Sequence, residues 1–407
     1  MFDVEKIRKD FPMIRNHPDI IYFDSAATAY KPQAVIDAVV DFYNYRTVNV
    51  HRGDYPLSFE ASRLYEDTRT VMKKFINARS EKEIVLTYGA TSGLNIVAYC
   101  YGHENLKEGD VVLTSYLEHA SDILPWFKAC DKTGAKIEYV PLTEDGHLTV
   151  ENFEKAMHDG VKVVALTFVS NVLGYEVPVK EICRIAHSYG AVVAIDGAQA
   201  VPHAIVDVQD LDVDFLAFSS HKMCGPSGAG VLYGKYELLE KMDSLLFGGG
   251  ANARFDKEGN IILKEAPYKF EAGTPNIEGT IGMKVAAEYL MNIGMENIVA
   301  YDRELQKYFS EKMLQLDNID YYNPKADVGL VTFNVKGIFA QDAAAYLAAN
   351  GIDVRSGNHC AKILWNTIGA TETLRASLYL YNTKAEIDRF VEVLKDITLE
   401  KCVGVYL

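Results

Sequence analysis

The sequence predicts an α/β chain built on a mainly parallel sheet with helices on both faces. Three observations predict it. Short apolar runs alternate with helical patterns through the middle of the chain, and such consecutive strand–helix units make neighbouring strands parallel. The runs are almost continuously apolar, as strands are when both sheet faces are covered. Finally, 407 residues, of which 49% are apolar and 24% charged, suffice for a large buried core.

The first run, EIVLTY (83–88), leads into a helix that opens at Gly89-Ala90-Thr91-Ser92-Gly93. DVVLTS (110–115) is followed by a polar turn and the helix LPWFKACDKTG (124–134). KIEYVPL (136–142) precedes the helix TVENFEKAMHDG (149–160). VKVVALTFVS (161–170) precedes VKEICRIAHSYG (179–190). AVVAIDGA (191–198), VDFLAFSS (213–220) and AGVLYG (229–234) complete the strands. From about residue 280 the texture changes to a long helical stretch, then the strand GLVTFNVKG and further helix. The expected organisation is a large domain over 21–285 and a smaller α+β domain over 286–407, with residues 1–20 packed on the latter.

Composition narrows the partners. A formal net charge of −15 without a basic tract argues against nucleic acid and anionic membranes. No stretch approaches the ~18 uninterrupted apolar residues of a spanning helix. The opening MFDVEKIRKDFPMI lacks the apolar core of a secretory signal, so a cytoplasmic protein is expected. Cys100, Cys130, Cys183, Cys224, Cys360 and Cys402 are scattered, with no CxxC and no metal-ligand spacing. They read as reduced thiols, and no metal site is expected.

Parallel sheets bind ligands beyond the C-terminal ends of their strands. The first such end offers a turn of small residues at a helix start, which can cradle phosphate. The next carries His119, a later one Asp196 with Gln199, and the last Ser219, Ser220, His221 and Lys222. Each has an ordinary reading alone: a capped helix, a loop histidine, a turn aspartate, a snorkelling lysine. Together they match the needs of pyridoxal phosphate. A lysine amine bonds its aldehyde, and a carboxylate keeps the pyridine nitrogen protonated so that the ring accepts electrons. Imidazole can cover the ring face and Gln199 can reach the ring oxygen. The small residues GPSGAG after Lys222 leave room for such a guest, and no GxGxxG follows the first strand.

Several blocks carry a resemblance. They are YFDSAATAYKP (22–32), NVHRG (49–53), SNVLGYEVPVKEI (170–182), the stretch 196–235 around Lys222, FEAGTPNIEGTIG (270–282) and RSGNHCA…LRASLYLYNT (355–383). They resemble the SufS-type cysteine desulfurases, in the class V branch of fold-type I pyridoxal phosphate enzymes. The resemblance runs from about residue 20 to near the C-terminus. It implies a seven-stranded sheet and conversion of L-cysteine to L-alanine, with sulfur passing to Cys360 as a persulfide. It further implies delivery to an acceptor protein or thiol, for iron–sulfur cluster assembly or related thiolation. In this pattern Lys222 bonds the cofactor, Asp196 pairs with the ring nitrogen, His119 stacks on the ring and Gln199 meets its hydroxyl. Thr91, Ser219 and His221 hold the phosphate, and Thr274 reaches the phosphate of the neighbouring subunit of a homodimer. Asn171 and Arg375 take the substrate carboxylate, and Arg355 is a further substrate-binding residue. Arg355 and His359 flank Cys360 and are expected to favour its thiolate as nearby cations. Cys360 lies 15 residues before Arg375, a spacing that matches the short SufS-type loop.

The chain departs from the pattern in places. The family's His-His-Ala-Asn is His119-Ala120-Ser121-Asp122, and its His-His-Cys-Ala is Asn358-His359-Cys360-Ala361. Asp54-Tyr55-Pro56 follows HRG, Ala90 and Ser92 stand in the phosphate turn, and Lys362-Ile363 follows the cysteine loop. These changes leave the cofactor residues alone. They keep open a relative acting on another β-substituted amino acid, such as a selenocysteine lyase or cysteine sulfinate desulfinase.

Overall fold

The structure, a computed structural model, describes residues 2–406. After two short N-terminal helices, Val4–Arg8 and Pro12–Asn16, come two longer amphipathic ones, α1 (Gln33–Tyr45) and α2 (Pro56–Phe75), the second with Pro56 in its first turn, where a missing N–H costs nothing. Then the alternation begins: β1 (Ile84–Thr87), α3 (Ala90–Ile96), β2 (Val111–Ser115), α4 (Ala120–Thr133), β3 (Lys136–Val140) and α5 (Val150–Ala156). It continues with β4 (Val161–Thr167), α6 (Val179–Ser188), β5 (Val192–Asp196), β6 (Phe215–Ser219) and β7 (Gly230–Gly234). These seven strands form one sheet in the order β1-β7-β6-β5-β4-β2-β3. Strand β7 is antiparallel to both neighbours; all other pairings are parallel.

Burial follows position in the sheet. The inner strands β2 and β6, each flanked on both sides, are buried throughout, whereas edge strand β3 is buried only at Val140. Phe215 and Phe218 are fully buried on β6, and each burial contributes about 1.5–3 kcal/mol. Because β1, β2, β4, β5 and β6 run the same way, their C-terminal ends open on one edge.

Helix α4 starts four residues earlier than the sequence predicts. The backbone N–H of Ser121 donates to Nδ1 of His119, so the histidine caps the helix and Pro125 is absorbed within it. Gly134, at φ 78°, ends it in the left-handed conformation.

The main elements of the rest of the chain are α7 (Ile277–Ile293), α8 (Met295–Met313), β8 (Ile319–Tyr321), β9 (Leu330–Val335), α9 (Ala340–Ala349), β10 (Arg355–Gly357), β11 (Thr373–Ser377) and α10 (Lys384–Lys395). Strands β8-β9-β11-β10 make an antiparallel sheet over a core that includes Phe23, Phe309, Phe333 and Phe390. The N-terminal residues lie against this part of the chain. Arg8 donates to Glu386 at 2.8 Å and to the Tyr381 carbonyl at 2.6 Å, and Phe2 stacks on Tyr301. Ile21 and Tyr22 pair in parallel with Ile352 and Asp353. That pairing brings Asp24 and Ala26 to the sheet edge where the strand ends open.

Candidate active site

A cleft of about 190 Å³ lies at those strand ends. Its lining includes Thr91, His119, Asn171, Asp196, Gln199, Ser219, His221, Lys222, Arg355, Cys360 and Arg375. The cleft therefore brings together every residue to which the resemblance gives a cofactor, substrate or sulfur role except Thr274, which is exposed on the segment before α7; Ser220 is buried behind the cleft.

One end of the cleft is a cup for an anion. Gly89, at φ 138°, turns the chain from β1 into α3. Gly230 of β7 lies so close that an added Cβ would sit 2.5 Å from the Gly89 Cα. The Ala90 N–H donates to Ser219 Oγ at 2.8 Å, which leaves the Ser219 proton free to point at a ligand. Thr91 Oγ1 and Ser121 Oγ are 2.8 Å apart beside it. His221 completes this side; burial, with the Lys222 charge, pushes it down to about 4, so it is a neutral imidazole.

Lys222 ends the single turn Ser220–Lys222 that follows β6. Burial, reinforced by Arg375 and Arg355 and opposed by Asp196, brings its amine down to about 8. Its backbone is anchored from one side. The His221 carbonyl accepts from Ala29 N–H at 3.0 Å, Thr28 Oγ1 at 3.2 Å and Lys31 Nζ at 3.3 Å. Asp196, at the end of β5, accepts from the Ala198 N–H at 2.9 Å. Burial pushes its carboxyl up while the Lys222 charge opposes that shift; a cationic ring nitrogen would oppose it further. Burial and the Lys222 charge also push His119 down to about 4. With its Nδ1 accepting from Ser121, the neutral ring carries its proton on Nε2. Gln199 donates from Nε2 to the Ala26 carbonyl at 2.9 Å, and its buried Oε1 has no partner.

The opposite wall holds charge for a carboxylate. Arg375 is 2% exposed; it donates to the Asn171 carbonyl at 2.8 Å and to Asp24 at 3.1 Å, and its Nε has no partner. Asp24 was not visible as a site residue in sequence, because it joins the cleft through the long-range pairing of Ile21–Tyr22. Asn171 donates to the His359 carbonyl at 2.8 Å and leaves its Oδ1 unpartnered.

Cys360 lies across the cleft on a tightly held loop. His359 and Cys360 both adopt positive φ, 47° and 57°, in the left-handed region that non-glycine residues rarely use. Two tethers hold this conformation: Asn171 on the His359 carbonyl and the Ala120 N–H on the Cys360 carbonyl, each at 2.8 Å. Cys360 is the exposed thiol among the six cysteines; the other five are buried, and burial raises their thiols, Cys100 and Cys224 to about 12. The expectation that His359 acts as a cation beside Cys360 is not met. His359 is 4% exposed, and burial with the charges of Arg375 and Arg355 pushes it down to about 2. It is a neutral ring bonded through Nε2 to Thr373 at 2.9 Å, and Arg355 is the cation there.

Several of the departures from the family pattern can be placed. Ala120 and Ser121 touch the Cys360 loop and the cleft, as described above. Asp122 is fully buried near Glu118, and burial with like charge pushes both carboxyls up. Ser92 faces a separate pocket with Leu86, Phe270 and Glu271.

The cup could take a phosphate, Asp196 a basic ring nitrogen, the neutral imidazole a flat ring, and Lys222 an aldehyde. The unpartnered Gln199 Oε1 and the close Gly89–Gly230 approach leave polar capacity and space between them, so the residues fit pyridoxal phosphate, and the chain is a pyridoxal phosphate enzyme of the fold-type I class. It belongs to the aminotransferase class-V family, whose model matches residues 21–390. The protein called "Probable cysteine desulfurase" of Halalkalibacterium halodurans is 44% identical over 398 residues, 97% of each chain. The solved cysteine desulfurase CsdA of Escherichia coli, in an S-sulfonic acid form, superposes with a TM-score of 0.91 at 36% identity, covering 99% of both chains. An apo cysteine desulfurase from Thermococcus onnurineus NA1 has the same TM-score at 38% identity, covering 96% of this chain and 97% of that one.

Proposed function

We propose that the chain is a cysteine desulfurase that moves the sulfur of L-cysteine onto Cys360 and releases alanine. The observation that carries this reading is the position of Cys360: the one exposed thiol stands in the same cleft as Lys222, on a loop strained and tethered in place.

When bound, pyridoxal phosphate supplies an aldehyde for the substrate amine and an electron-accepting ring that acidifies the substrate Cα–H. The protein does the rest. Arg375 offers its free donors to the substrate carboxylate, and a planar guanidinium suits that group better than an ammonium. The Lys222 amine, near 8, is partly neutral at neutral pH and takes the Cα proton. The Cys360 thiolate then attacks the substrate sulfur. A new S–S bond forms, the Cβ–S bond breaks, and its electron pair stays on the carbon side. Protonation of that carbon, by a proton equivalent to the one Cys360 lost on becoming a thiolate, gives the methyl group, and Lys222 returns its proton to Cα to complete alanine. The exposure of Cys360 lets the persulfide meet an acceptor thiol from outside.

The same reading makes the enzyme a homodimer in which Thr274 reaches the partner's cofactor phosphate. Thr274 lies outside its own cleft, and Phe59, Leu246 and Phe247 are 61%, 56% and 59% exposed.

The test is incubation of the purified protein with cysteine, with and without a reductant. Alanine is expected in both, and free sulfide rises with the reductant. If neither product appears while another β-substituted amino acid turns over, the cysteine reading is wrong.

A further inference from the structure

We propose that Ser121 is a positioning residue for the cofactor phosphate, acting through the hydroxyl of Thr91. The proposal rests on the reading of Thr91 as a phosphate ligand. It adds a residue for which the resemblance gives no role, since that pattern has alanine at this position.

Ser121 sits in the first turn of α4 and faces the cleft. Its backbone N–H is committed to His119 Nδ1 at 3.1 Å. Its Oγ lies 2.8 Å from Thr91 Oγ1, so the side chain links the first turn of α4 to the first turn of α3. In isolation either hydroxyl can donate. An anion settles the direction: a phosphate oxygen accepts, so Thr91 turns its proton to the phosphate and its oxygen accepts the Ser121 proton. Hydroxyls aligned in this way polarise one another, which makes Thr91 the stronger donor. The link also removes rotational freedom from Thr91, an exposed side chain that otherwise must be ordered when the cofactor binds.

The pair has a second effect. Thr91 and Ser121 also border a shallow groove of about 290 Å³ on the outer surface, lined further by Asn95, Tyr99, Leu124 and Lys128. The two bonded hydroxyls thus form the wall between the phosphate cup and that groove. Removing one oxygen admits water to the phosphate from outside.

The experiment compares pyridoxal phosphate with pyridoxal, which lacks the phosphate, by titrating each into cofactor-stripped protein and following the visible band. Alanine at 121 keeps the backbone cap on His119 and introduces no bulk. Ser121→Ala is expected to weaken pyridoxal phosphate about two- to tenfold, the worth of one ordinary hydrogen bond, and to leave pyridoxal unchanged. In a Thr91→Val background the same change is expected to cost nothing further. The proposal is overturned if Ser121→Ala binds pyridoxal phosphate as the parent does. It is overturned equally if both ligands weaken alike, which would assign Ser121 to the ring through His119, or if the two substitutions add. Colour in the parent protein tests the cofactor reading itself; the ratio of variant to parent tests Ser121.

Discussion

In the proposed reaction Lys222 and Cys360 divide the chemistry between them. Lys222→Ala is expected to remove the visible absorbance band of the bound cofactor and to abolish alanine formation. Cys360→Ala is expected to leave that band intact while cysteine turnover falls by about two orders of magnitude or more. A sulfinate leaves without a thiol acceptor, so the Cys360→Ala variant should still release alanine from cysteine sulfinate. Equal loss on both substrates would remove Cys360 from the sulfur step. The buried His359 makes a separate prediction about stability. Its folded pKa, about 2, lies below the ordinary imidazole value near 6.5. Between those values the unfolded chain takes a proton that the folded chain refuses, so stability is lost as pH falls through that window. His359→Gln removes this contribution and can keep the bond to Thr373. Between pH 6.5 and 4.5 the parent should lose about 1 kcal/mol per pH unit more than the variant, read from urea midpoints. Parallel curves would show that the ring is not held neutral. From sequence, His359 reads as a cation because only its neighbours in the chain are visible; the burial that neutralises it comes from the fold.

The sheet elements were largely legible, and for a physical reason. A strand covered on both faces must be apolar along its whole length, so β2, β4, β5 and β6 announce themselves, and their C-terminal ends mark where chemistry belongs. The start of α4 was less legible, because a histidine cap has no strong sequence signature and a proline such as Pro125 ordinarily belongs to a helix's first turn. Asp24 was hidden altogether, since its place depends on a two-residue strand pairing across more than three hundred positions. Element packing yields its own expectations. Arg69 of α2 is 1% exposed; it donates to the Ile84 carbonyl at 2.6 Å and to Glu271 at 2.8 Å, while Glu271 accepts the Leu86 N–H at 2.9 Å. This bracket fastens α2 and the segment before α7 to β1. Arg69→Leu should cost about 3–5 kcal/mol of unfolding free energy, because it strands the Glu271 charge in the interior; a loss under ~1 kcal/mol would mean that the bracket is dispensable. Gly230→Ala should cost about 1–3 kcal/mol by pressing a methyl group into the Gly89 turn, and should weaken cofactor binding with it. A variant equally stable and equally well loaded would contradict the close approach.

For the molecule as a whole, the homodimer reading predicts a sedimentation mass of twice the 45.4 kDa chain. Thr274→Val should then weaken pyridoxal phosphate binding although Thr274 does not line its own chain's cleft. A monomer with normal cofactor affinity would refute the shared site. Everything functional in this account depends on a covalent bond between one particular lysine and the cofactor aldehyde. The most direct measurement is borohydride reduction of the cofactor-loaded protein, followed by peptide mass analysis. The account predicts a single reduced pyridoxyl-phosphate adduct, on Lys222. An unmodified Lys222, or an adduct on Lys31 or Lys269 in its place, would contradict it.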